Sequence, residues 1–122
     1  MFVSAYRHYT NKESVAKIKE TGVIKQSPSG PTAVDGSGTY VTRMPPTSPK
    51  IDIARNNYDD RESLPRKRID EGKVNKCIEI HIPKNDPNIE RVNVRDRDVH
   101  RYKGDINLKD YKHSFKSVQS DQ

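Results

Sequence analysis

Nearly all the aliphatic bulk of this chain is branched at Cβ: ten Ile and ten Val stand against two Leu, Leu64 and Leu108. Such side chains fit a pleated, half-buried surface and are mediocre in helices. The stretch "CIEIHI" (Cys77 to Ile82) shows the consequence most clearly. Its alternation puts Ile78, Ile80 and Ile82 on one face of a strand, the core side. Cys77, Glu79 and His81 fall on the other, where Glu79 reads as exposed and His81 as facing the polar side. The 122 residues argue for one domain over residues 1–118, with a frayed tail over 119–122. Only 30% of residues are hydrophobic and 33% are charged. The core must therefore be small and the loops long and polar.

Along the chain, "FVSAY" (Phe2 to Tyr6) reads as a strand and leaves His8 at its end. Thr10-x-x-Glu13 then has the form of a capping box, with the Thr10 hydroxyl accepting from an early helix amide. Val15 and Ile18 form a narrow apolar stripe on the helix that follows, and Gly22 stops it. "VIK" is extended, and the Gly-, Pro- and Ser-rich run from Gln26 to Gly38 is a loop. "TYVT" (Thr39 to Thr42) is a second strand, and "IDIARNNYDD" contains a helix turn or two. The charged run from Arg61 to Asn75 reads as a mobile loop. After "CIEIHI" come strand-like "IERVNV", "RDVHRY" and "DINL". The layout is an α+β domain with few short helices and a mixed or mostly antiparallel sheet.

The net charge of +6 favours phosphate-bearing partners, although it is spread along the chain. "PRKR" (Pro65 to Arg68) is its densest cluster and reads as a solvated loop. The single cysteine, Cys77, has no internal disulfide partner and reads as a buried strand residue. None of the four histidines, His8, His81, His100 and His113, has metal-ligand spacing with another, so no metal site is expected. No apolar run approaches the length of a membrane span, and "MFVSAYRHYT" lacks a signal-peptide layout.

Two segments carry candidate chemistry. His8 stands just before a capped helix, where helix N-termini favour anions. "DGSGTY" (Asp35 to Tyr40) places Gly36 and Gly38 before a strand carrying Tyr40. Glycines there let another group approach the backbone closely, and the tyrosine ring can face a planar ligand. The glycines enter a strand and lack a third partner, so this is not a dinucleotide-binding fingerprint of the doubly wound type.

Taken together, "YRHYTNKESVAKIKETGVIKQS" followed by "DGSGTYVTRMPP" resembles the HYD-signature ADP-ribosyltransferase toxin domains. These are small members of the superfamily that includes diphtheria toxin and the poly(ADP-ribose) polymerases. "VNKCIEIHIP" is similar to the family's later central strand. The resemblance implies a split, twisted sheet with NAD, as co-substrate, in its cleft. It implies that His8 bonds a ribose hydroxyl and that the Tyr9 backbone holds the nicotinamide amide. Tyr40 would stack on the nicotinamide ring, with Gly38 allowing the close approach. Thr10 would either contact the adjacent ribose or only cap the helix. The third signature residue is an acid on a later strand: Asp105 in "RYKGDINL" matches best, with Asp110 and Glu79 as alternatives.

The implied activity is mono-ADP-ribosyl transfer from NAD to a protein or nucleic acid, or NAD glycohydrolysis when water is the acceptor. The expected partners are NAD, that acceptor and, for a toxin module, an immunity or carrier protein, with an intracellular site of action. Two other readings compete. One is a basic nucleic-acid-binding module using "PRKR" and "VRDRDVHRYK". The other is a catalytically weak binder of NAD or ADP-ribose on the same fold.

Overall fold

The computed structural model describes residues 3–28, 36–58, 64–92 and 97–118. The first strand, β1 (Val3–Thr10), runs further than the sequence suggests and pairs over its whole length with β4 (Lys76–Pro83). His8 is consequently an interior strand residue, opposite Ile78. Because Thr10 is still paired, with Lys76, it does not cap the helix; Asn11, the first residue off the sheet, does. Asn11 Oδ1 accepts the Ser14 amide at 2.8 Å and so satisfies one of the orphan donors of α1 (Lys12–Thr21). Gly22 ends α1 in the left-handed conformation, with φ at 74°, and its amide returns to the Ile18 carbonyl.

After α1 come β2 (Val23–Ile24) and β3 (Thr39–Val41), then α2 (Lys50–Asn57) and α3 (Leu64–Asp70). The α3 helix replaces the mobile loop read from the charged run; Arg61–Ser63 lie outside the described residues. "PRKR" thus forms helix, with Pro65 buried, Ile69 packed on the core, and the Arg68 guanidinium 5.4 Å from the centre of the Tyr58 ring. Then follow β5 (Ile89–Arg91), β6 (His100–Tyr102) and β7 (Ile106–Asn107). A 3₁₀ turn, Leu108–Asp110, takes the place of the last part of "DINL". A final strand, β8 (Lys112–Ser117), went unread in the sequence.

The eight strands among the described residues form three sheets, ordered β1-β4-β8, β2-β7 and β3-β6-β5. Every pairing between these strands is antiparallel. The two larger sheets are joined by one bridge, Arg7 to Thr42, so the architecture is a small α+β fold with a split sheet.

On one face of β1-β4-β8, Tyr6, Ile78, Ile80 and Ile82 pack with Val15 and Ile18 of α1. The three isoleucines are fully buried, as their alternation predicts. The opposite face is buried as well. There Tyr9, Cys77, Val74 and Val118 pack with Ile53 and Ala54 of α2. Glu79 is therefore 7% exposed rather than on a solvent face.

Candidate active site

The site begins where the split sheet comes apart. Arg7 and Thr42 exchange two backbone hydrogen bonds, at 2.6 and 2.9 Å. In an antiparallel ladder the next pair to do so lies two residues further along each strand, here Tyr9 and Tyr40. Among the described residues that pair is not made. Instead the His8 imidazole bonds the second strand, its Nδ1 3.0 Å from the Tyr40 carbonyl oxygen. Backbone groups on a strand point to alternate sides, so the amide and carbonyl of Tyr9 share the direction of those of Arg7. They look into the gap between β1 and β3, with no partner among the described residues.

The contact also sets the imidazole's chemistry. A carbonyl only accepts, so Nδ1 carries the proton and neutral His8 presents an Nε2 lone pair. Nε2 has no hydrogen-bond partner among the described residues. Burial lowers the His8 pKa below its ordinary 6.5, against a smaller upward effect of the Tyr40 carbonyl. His8 is thus neutral at pH 7.

Tyr40 sits on β3 opposite Arg101 of β6. Its hydroxyl donates to the Gly36 carbonyl, which ties the ring back over its own loop. Gly38 exchanges backbone bonds with Ser27 at 2.7 and 3.0 Å. A Cβ at Gly38 would stand 2.5 Å from Arg101 Cγ, so no larger residue fits there. The glycines of "DGSGTY" therefore serve close approach, of the chain's own arginine; Asp35 lies outside the described residues.

Asp105 is exposed and precedes β7, and its Oδ1 accepts the Gln26 amide at 2.8 Å. Gln26 adjoins Ser27, the partner of Gly38, and Thr39 Oγ1 donates to the carbonyl of Gly104 at 2.8 Å. Hydrogen bonds thus link the backbone around Asp105 to the residues before Tyr40, while Tyr40 is linked directly to His8. Asp110 lies beyond, in the 3₁₀ turn.

Glu79 belongs to the opposite face of β1-β4-β8. Arg7 holds it with two contacts, at 3.0 and 2.9 Å, and Lys116 Nζ lies 3.2 Å from its other oxygen. Burial pushes its pKa up, but these cations outweigh that and hold it below the usual range. The Tyr9 side chain points to this same face and donates to the Met44 carbonyl at 2.6 Å, leaving only its backbone toward the gap. Thr10 pairs with Lys76 one residue beyond.

Sequence reasoning missed the polar cluster behind β3. Asn56 Nδ2 donates to Thr42 Oγ1 at 3.1 Å and to the Asp98 carbonyl at 2.7 Å, while its Oδ1 accepts the Asp98 amide at 2.6 Å. The Asp98 carboxylate takes the Arg43 amide at 2.9 Å and its Nε at 3.0 Å, and lies 3.0 Å from His100 Nε2. His100 in turn meets the Tyr6 ring edge-on at 5.0 Å. This cluster clamps Thr42, the last paired residue before the strands part. Nothing local in the sequence signals it, because Asn56 and Asp98 lie 42 residues apart.

Three cations of the proposed nucleic-acid segments are engaged within the chain. Arg68 pairs with Glu71, Arg101 with Glu90, and Arg97 Nε donates to the Asn56 carbonyl. Among the described residues no cluster of His, Cys, Asp or Glu is arranged to hold a metal ion. No helix there is long and apolar enough to cross a membrane.

A family model described as HYD1 signature containing ADP-ribosyltransferase matches residues 6–110, a span that takes in the parted strands and both Asp105 and Asp110. No curated protein and no solved structure matches the chain significantly. The match covers most of the 122 residues, and the chain belongs to the HYD1-signature ADP-ribosyltransferases.

Proposed function

We propose that the protein is an NAD-dependent mono-ADP-ribosyltransferase whose nicotinamide site is the gap between β1 and β3. The observation that carries this is the unmade Tyr9–Tyr40 backbone pair, where His8 Nδ1 bonds the Tyr40 carbonyl instead. It leaves one amide donor and one carbonyl acceptor side by side at Tyr9. A nicotinamide carboxamide presents the complement, one carbonyl oxygen and one NH₂. The Tyr40 ring covers the pyridinium plane, and the close packing at Gly38 keeps the loop beneath it tight. His8 Nε2 accepts a ribose hydroxyl.

In the reaction the bond between the nicotinamide nitrogen and the ribose C1′ breaks. The electron pair goes to the ring, which leaves as neutral nicotinamide without needing a strong acid. Positive charge builds on the ribose, and Asp105 stabilises it through space. The acceptor's nucleophile then bonds C1′ and gives up its proton to water. Holding the ring and sugar in place does most of the work. The net charge of +6 assists retention of the pyrophosphate. Asp105 suits this role better than Glu79, whose charge is already matched by Arg7 and Lys116 on the far face.

The test is to incubate the protein with NAD and follow free nicotinamide, alone and with protein or nucleic-acid acceptors. Release that depends on Tyr40 and Asp105 supports the proposal. NAD binding without any release would favour the reading of a non-catalytic binder.

A further inference from the structure

A second surface, separate from the gap, lies between α1 and β8. Lys12, Val15, Ala16 and Lys19 form one continuous stripe of α1, at the spacing of a single helix face. Opposite them stand Lys76 of β4 and Phe115 of β8, and together they enclose a groove of about 340 Å³. The floor is apolar, from Val15, Ala16 and Phe115, and the rim is basic. Lys19 Nζ stands 5.1 Å over the Phe115 ring, and Lys76 Nζ donates to Ser117 Oγ at 2.8 Å. Among the described residues no carboxylate pairs with Lys12, Lys19 or Lys76. The acidic residues of α1, Glu13 and Glu20, are not part of the groove wall. Lys116, also at the wall, turns its ammonium to Glu79 on the opposite face of the sheet.

One further property selects the occupant. β8 is the outer strand of β1-β4-β8, so among the described residues one of its edges is unpaired. Unpaired edges accept an added strand. Lys112 on β8, with the groove's own Lys12, Lys19 and Lys76, disfavours a second basic copy of this chain there by like-charge repulsion and favours an acidic strand.

We infer that the groove between α1 and β8 is a docking site for an extended acidic segment of a partner protein. The segment lies along the edge of β8, sets apolar side chains on the floor and places carboxylates against Lys12, Lys19 and Lys76. Three features fit this occupant together: an apolar floor, a basic rim and a free strand edge. A nucleic-acid strand would use the rim alone, because the Phe115 ring already carries Lys19 over one face. The inference does not depend on the NAD reading.

The experiment is fluorescence anisotropy on the full chain with a short labelled peptide alternating Glu and Val. The comparison probes are the same peptide with Gln for Glu and an oligothymidylate of similar length. The Glu peptide is expected to bind best, and rising salt to weaken it. The double variant Lys12→Glu/Lys19→Glu is expected to lose about tenfold or more in affinity, with its thermal melt unchanged. The single variant Lys19→Gln, at an exposed helix position, reports the same trend should the double variant melt early. Nicotinamide release from NAD without peptide is expected to be unchanged in both variants, so failure of the groove and failure of the catalytic proposal are read separately. Equal binding of the Gln peptide, no binding of the Glu peptide, or tighter binding of the oligothymidylate would overturn the inference.

Discussion

Replacing Asp105 by Asn and by Ala separates two roles that the wild-type side chain combines. Its Oδ1 accepts the Gln26 amide at 2.8 Å, and that bond ties β2 to the turn before β7. Asn keeps an acceptor oxygen in place; Ala does not. The lost bond is worth about 1 kcal/mol at an exposed site. For a domain of this size that lowers Tm by about 3 to 5 °C in Asp105→Ala and by less than about 2 °C in Asp105→Asn. The catalytic role needs charge rather than an acceptor. A carboxylate about 5 Å from the developing positive sugar, at an effective dielectric constant of about 20, contributes about 3 kcal/mol. Both variants should then release nicotinamide about 150-fold more slowly. The assay is nicotinamide release at saturating NAD, read by chromatography, beside a thermal melt of each variant. An Asp105→Asn protein that melts normally and turns over within about fivefold of wild type would refute the electrostatic role and leave Asp105 as a tether.

Other substitutions probe the parts around it. Tyr40→Phe removes the hydroxyl that bonds Gly36 but keeps the ring and should keep most nicotinamide release, whereas Tyr40→Ala, lacking the ring, should fall by about 10- to 100-fold; equal loss in both would contradict stacking. Asn56→Ala leaves the amide and carbonyl of Asp98 without their partner and should cost about 3 kcal/mol in urea unfolding, while a cost under about 1 kcal/mol would mean the cluster does not clamp β3. Burial depresses His8 and His100 below 6.5, His100 despite the opposing pull of Asp98, so their unfolded forms bind protons more readily. Their contribution to stability is then complete above pH 6.5 and is lost as pH falls below it, so the urea midpoint should drop between about pH 7 and pH 5; a constant midpoint there would contradict the burial of both rings.

What could be read from the sequence depended on whether a residue's role was local. The isoleucine face of β4 was legible because alternation alone decides it. On its other face Cys77 was read as buried and is, but Glu79 was read as exposed, because the Arg7 and Lys116 that enclose it come from strands distant in sequence. The capping box failed at Thr10 because tertiary pairing carried β1 two residues past His8. The helix in the charged run was hidden since its stability comes from Pro65 and Ile69 at the core and from Arg68 on Tyr58, contacts that composition does not show. His8 and Tyr40 were found as motifs, and the structure places them in direct contact. The parting of the strands at Tyr9 is a matter of register between distant segments, and no single stretch of sequence encodes it.

The most direct measurement is a titration of the ¹⁵N-labelled protein with nicotinamide, followed by amide chemical shifts. The account predicts that the Tyr9 amide moves most, with its neighbours on β1 and the residues around Tyr40, and that His8→Ala abolishes the response. Saturable shifts centred elsewhere, with Tyr9 unmoved, would contradict it.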